Sequence, residues 1–181
     1  MPETERRRRQ MRLITILLLG LAVGGAVLCH QTAPKPAPAL VLSEDATIQT
    51  VEFYEHGCYM TDVARTHFIR TDEGTMVRFE LYGNQEDYQE LAGPELLEEV
   101  QTILDTYDVL GWAGFSGHNP NVLDGSSFLL EITFSDGSRL TARGENRFPK
   151  NYSEVMSALD SLAAPAREHL LQQLQEQDQQ R

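Results

Sequence analysis

Ser116 and His118 stand two residues apart in the segment Gly111-Trp-Ala-Gly-Phe-Ser-Gly-His-Asn-Pro-Asn-Val-Leu-Asp-Gly125. A serine near a histidine raises acyl transfer, because the imidazole can take the hydroxyl proton as the oxygen attacks a carbonyl. The nucleophile elbow that exposes such a serine reads G-x-S-x-G and joins a strand to a helix. Here Gly114-Phe115-Ser116-Gly117-His118 lacks the closing glycine. The strand-turn-helix context is also missing, so no catalytic residue is assigned.

The same segment suits binding better than catalysis. Long loops carry binding residues because a scaffold can hold them without burying their backbone. Trp112 and Phe115 would form an apolar platform, and Ser116, His118 and Asn119 would give polar direction. These five are the ligand-binding candidates. The competing reading makes the segment a glycine-rich crossover lying over a sheet, with Trp112 and Phe115 as core plugs. Two other clusters carry residue types that bind metals. His56, Cys58 and His67 follow no standard zinc spacing. Asn119, Asn121 and Asp124 miss the register of a calcium loop and its closing glutamate. No metal and no cofactor is expected.

Elements must position these groups, and the pattern names most of them. Ile48–Glu55 reads as a strand with Val51 and Phe53 on one face. Thr66–Arg70 and Met76–Tyr82 read as a hairpin turned at Gly74, the second arm alternating Val77, Phe79 and Leu81 with polar residues. Pro94 opens a helix whose apolar stripe is Leu96, Leu97, Val100, Ile103, Leu104 and Tyr107. Glu95, Glu98 and Glu99 crowd its first turns, where the helix dipole favours anions. Ser127–Phe134 and Arg139–Arg143 form a second hairpin around Asp136-Gly137. Asn151 or Ser153 is expected to cap a helix carrying Val155, Met156, Leu159 and Leu162. Pro165 is expected to start a last helix with Leu170, Leu171 and Leu174. Hairpins without βαβ alternation predict an α+β fold, an antiparallel sheet with helices packed on one face.

Charge divides the chain of 181 residues, whose net charge is −12. Of its 15 cations and 27 anions, six and two fall in residues 1–39, so residues 40–181 carry 9 against 25, a net charge of −16. A body so acidic argues against a nucleic-acid partner, which selects a basic face. Two cysteines cannot form a disulfide framework.

The basic head reads as an export segment. Residues 1–12 form an arginine-rich region expected to stay in the cytoplasm, and residues 13–29 an uncharged run that crosses or is cleaved. Gly24 and Ala26 suit a cleavage site, and Ala37-Pro38-Ala39 a weaker one. A lipid anchor on Cys29 would want a small residue where Leu28 stands. Gly20 and Gly24 spell a short GxxxG, a membrane helix-dimer pattern. Residues 30–39 are a Pro/Ala-rich spacer rising about 3 Å per residue. Residues 40–181 then form a single domain outside the cytoplasm. The expected partners are the membrane, through residues 13–29 if uncleaved, and an extracellular protein or envelope component.

One stretch carries a resemblance. Tyr107-x₄-Trp112-Ala-Gly114-Phe115, Val122-Leu-Asp-Gly125-x-x-Phe128, Asp136-Gly137 and Ala142-x-Gly144-x-Asn146-x-Phe148-Pro149-x-x-Tyr152 follow one another. This resembles small exported or lipoprotein-like bacterial proteins of Gram-positive type, in which a hairpin with an Asp-Gly turn precedes A-x-G-x-N-x-F-P. The resemblance implies an extracytoplasmic bacterial domain and brings no activity. Physically, Gly144 is expected to allow an unusual backbone turn as the strand leaves the sheet, and Asn146 to bond its own backbone. Phe148 is expected to plug the seam between sheet and helix, and Pro149 to fix the approach to the helix.

Overall fold

A computed structural model describes residues 40–57, 63–83, 87–122 and 125–179. The expected export segment, Cys58 and Asp124 lie outside these residues. Seven strands run as β1 (Ile48–His56), β2 (Val63–Arg70), β3 (Thr75–Leu81), β4 (Tyr88–Ala92), β5 (Ser116–His118), β6 (Ser127–Phe134) and β7 (Arg139–Glu145). Helix α1 (Glu95–Thr106) lies between β4 and β5, and helix α2 (Tyr152–Gln179) follows β7. Among the described residues no helix is long and apolar enough to cross a membrane.

The strands form one sheet in the order β4-β3-β2-β1-β6-β7-β5. Period-two alternation decides its two faces. Phe68, Phe79, Leu130, Ile132, Leu140 and Ala142 are buried on one side, sharing a core with Leu97, Val100 and Leu104 of α1 and Val155 and Leu159 of α2. The opposite face is polar. There Glu52, His67 and Glu80 meet across strands, with His67 Nε2 3.0 Å from Glu80 and Arg65 Nη1 2.6 Å from Glu52. The result is an α+β fold with a mixed sheet.

The mixture corrects the purely antiparallel expectation. β5 joins β7 in parallel, pairing Ser116 with Arg143, Gly117 with Gly144 and His118 with Glu145. The paired glycines allow it. A Cβ on Gly117 would lie 2.4 Å from the Arg147 carbonyl oxygen, and one on Gly144 2.3 Å from the same atom. That carbonyl lies over both residues, and the Phe115 and Phe128 rings crowd the same spot. Gly144 is thus required for close packing. The left-handed backbone falls to Asn146 instead, at φ 54°.

Two further expectations change. α2 is one helix that runs through Pro165. Its buried residues Val155, Met156, Leu159, Ala163, Ala166 and Leu170 keep helical spacing across the proline, which is itself exposed. A proline inside a helix costs about 3 kcal/mol. Burying a leucine returns roughly 1.5–3 kcal/mol, and Arg167 pairs with Asp160 through two contacts of 2.5 and 2.9 Å, bridging the interrupted turns. The start of α2 is also set differently. Asn151 takes φ 60° and its backbone carbonyl accepts from Val155 N, while its side chain donates to the Tyr107 carbonyl. Ser153 lies inside the helix. Phe148 is partly exposed and stacks on Tyr152 at 4.4 Å, covering the aromatic cluster from outside.

The two ends of the sheet are built differently. At one end the chain enters beside the β6–β7 turn. Ser43 N donates to Asp136 Oδ2, Thr47 N to Ser135 Oγ, and Ser135 N to the Thr47 carbonyl. Gly137 takes φ 82° as the Asp-Gly turn requires, and Gly137 N donates to the Phe134 carbonyl. At the other end β1 finishes at His56, opposite Ser127.

Candidate functional site

Strand pairing assembles the open end. His118, Glu145, Ser127 and His56 form one row across β5, β7, β6 and β1, and Ser116, Arg143, Leu129 and Tyr54 form the next. Their side chains fall on the polar face, and all but Leu129 border a cleft of about 690 Å³. On the helix side, the same end of β1 borders a groove of about 550 Å³. Its floor is apolar, with Phe53, Val63, Met156, Leu170, Leu171 and Leu174. Tyr54, His56 and Ser126 line both. Both volumes lie in the range of small-ligand sites, roughly 300–1,000 Å³.

The five sequence candidates separate. Trp112 is 5% exposed and packs edge-to-face on Phe128 at 6.3 Å, within the core. Phe115 is half-buried, 6.3 Å from the same ring. Ser116 and His118 point into the polar cleft. Asn119 continues the β5 ladder, its N–H donating to the Glu145 carbonyl, and its Oδ1 accepts from Asn121 N in a local turn. So two of the five border a cavity, and the other three support the strand.

Chemistry at the cleft is limited. His118 Nδ1 lies 3.0 Å from Glu145 Oε2, and both side chains are mostly exposed. Among the described residues Ser116 makes no hydrogen bond to His118. His56 contacts Tyr82 Oη at 3.2 Å, and His67 is held between Glu52 and Glu80 on the sheet face. Among the described residues no three groups gather to hold a metal.

The groove carries its own polar groups. Tyr152 Oη donates to Glu55 Oε1 at its border. Burial, then the bond to Glu55 and its negative charge, push the Tyr152 hydroxyl pKa up, so it stays a donor. Asp160 and Arg167 pair on the wall, and the Arg167 guanidinium lies 5.8 Å over the Phe79 ring. Behind this wall α2 is tied to the sheet edge. Glu90 accepts from Tyr88 Oη at 2.7 Å and faces His169 at 2.9 Å. Burial opposes charge on Glu90, but the bonds from Tyr88 and His169 prevail and hold it below its ordinary value. Burial and the Glu90 contact push Tyr88 up to about 12.

Sequence reasoning missed Tyr54, Glu55, Arg143, Glu145, Arg167 and Leu171 as site residues. Alternation along β1 and β7 places Tyr54, Arg143 and Glu145 on the polar face, whereas Glu55 falls at the strand's end on the face of Val51 and Phe53. Their convergence depends on pairings between distant segments, which no local pattern encodes. The chain matches no known family profile, and no curated protein is similar to it in sequence.

Proposed function

We propose that this chain is a non-enzymatic binding domain displayed outside the cytoplasm, tethered or released, and that it works through the open end of its sheet. One observation carries the reading. The chain enters the domain beside Asp136, and both cavities open at the far end of β1. Nine strand residues separate the two ends, about 30 Å at roughly 3.3 Å per residue. The domain thus carries its cavities at the end opposite the point where the chain enters it. The arginine-rich head, the uncharged run at residues 13–29 and the resemblance to exported bacterial proteins support the same reading. The net charge of −16 on residues 40–181 would also keep the body clear of an anionic membrane surface.

The test uses the full chain in bacterial cells, with Cys29 and Cys58 changed to serine and Leu171 to cysteine. A membrane-impermeant maleimide is expected to label Leu171→Cys in intact cells or in the medium. Labelling only after lysis would sink the reading. A second reading, a small polar ligand in the cleft of Ser116, His118 and Arg143, is favoured by the two-row alignment across four strands. It predicts loss of that ligand on Arg143→Ala with the groove unaffected.

A further inference from the structure

The groove beside α2 selects its occupant by length and by charge. Its lining runs along α2 from Met156 to Leu174. At 1.5 Å per residue that is about 27 Å of helix, the span of roughly eight residues of extended chain. A compact small molecule would use only part of it. The floor is apolar, and Leu171 in it is 44% exposed although leucine gains by burial.

Four residues of full formal charge line the groove: Glu55, Arg65, Asp160 and Arg167. Arg65 is paired with Glu52 at 2.6 Å, and Asp160 with Arg167 at 2.5 Å. Glu55 differs. Its partner is the neutral hydroxyl of Tyr152, and among the described residues it has no ion pair. A carboxylate without a counter-charge beside an apolar floor is complementary to a cation carried on an apolar chain. The net charge of −16 on residues 40–181 adds long-range attraction of the same sign.

We propose that the groove receives an extended segment of a partner protein in which apolar side chains alternate with lysine or arginine. The apolar side chains lie on Phe53, Met156, Leu170 and Leu171. Period-two alternation turns the cations outward, and the one at the segment's end reaches Glu55 at the groove's border. This deepens the binding reading above and rests on it.

The probe is a fluorescein-labelled octapeptide of alternating leucine and lysine, followed by anisotropy. The full chain is held in phosphatidylcholine nanodiscs, with empty nanodiscs as the blank. Binding is expected to weaken about tenfold in Glu55→Gln, whose amide oxygen still accepts from Tyr152. It is expected to be lost in Leu171→Asp, an exposed site that leaves the fold intact. Glu44→Gln, on the chain leading into the opposite end, is expected to stay within twofold. Equal weakening by Glu55→Gln and Glu44→Gln would reduce the effect to bulk acidity and overturn the proposal. So would equal binding of a serine-lysine or leucine-glutamate octapeptide. Dodecylammonium binding while the octapeptide stays silent would assign the groove to a small amphiphile and also overturn it. Because the titration uses isolated chain, its failure leaves display outside the cytoplasm, read on whole cells, standing or falling by itself.

Discussion

The two ends of the sheet solve opposite problems. At the end where the chain enters, backbone and side-chain bonds from Ser43 and Thr47 close onto Ser135 and Asp136, and a glycine in the left-handed region makes the turn. At the end where β1 stops, β1, β6, β7 and β5 finish level in one row, α2 runs on past its last buried residue Leu170, and two cavities remain. Stability and recognition are thereby divided between the two ends of the sheet. Substitutions at the closed end are expected to read out as melting temperature, and those at the open end as affinity.

Trp112 is the hardest case for that division. It touches Phe128, which borders the open cleft, yet it is buried. Truncation to alanine is expected to cost about 3–5 kcal/mol, as large-to-small core changes do. Denaturant unfolding measures it, and a change below about 1 kcal/mol would return Trp112 to the open end. Gly144→Ala is expected to cost about 2–3 kcal/mol, in the range of overpacking, because the new methyl meets the Arg147 carbonyl and the Phe128 ring. A thermal melt unchanged by that substitution would break the account of the β5–β7 pairing.

At the closed end, Gly137→Val is expected to cost on the order of 1–3 kcal/mol. The reason is strain alone, since no atom lies within 4 Å of the added Cβ and φ is 82°. Asp136 sharpens the point through pH. Backbone N–H groups of Ser43 and Ser138 bond its carboxylate and hold its pKa below the ordinary 3.8. A carboxylate with a lowered folded value adds stability above its ordinary value and loses it as pH falls through the folded one. The melting temperatures of wild type and Asp136→Ala should therefore differ at pH 7 and converge as pH falls below about 4. A constant difference down to pH 2 would remove the carboxylate's charge from the explanation. The smallest effects belong to the open end. Ser116→Ala and His118→Ala are expected within about 0.5 kcal/mol of wild type, as exposed sites usually are, and a larger loss would make the cleft structural.

Much of the fold was legible because it is local. Phe128, Leu130, Ile132 and Phe134 alternate, and Asp136-Gly137 names its own turn, so β6 and β7 follow from spacing. α1 shows its stripe in the same way. β4 was hidden because it is a short edge strand with little alternating apolar signal, and Glu90 faces α2 to meet His169. β5 was hidden because three residues, one of them glycine, carry no period. Pro165 misled because a proline marks a helix start in isolation, whereas here the core continues beneath it. Of the site, Ser116 and His118 were visible as chemical types. Their neighbours Tyr54, Arg143 and Glu145 come from segments brought together by strand order, and Glu55 matters only once Tyr152 and α2 lie beside it.

The place of β1 in the strand order also sets a timetable. Among the described residues it is the first strand made and the central one, flanked by β2 and β6. β2 arrives within a few residues, but the partner on the other side is distant: Thr50 meets Thr133 across 83 residues of sequence. At about 5–20 residues per second of synthesis, that interval lasts roughly 4–17 s. Through it the half-sheet from β1 to β4 has an unpaired edge in the middle of the future core, with Val51 and Phe53 uncovered. Such an edge is a template for pairing with other chains. A newborn chain is therefore most exposed to aggregation before β6 has emerged, and β1 is the segment a holding chaperone has most reason to cover.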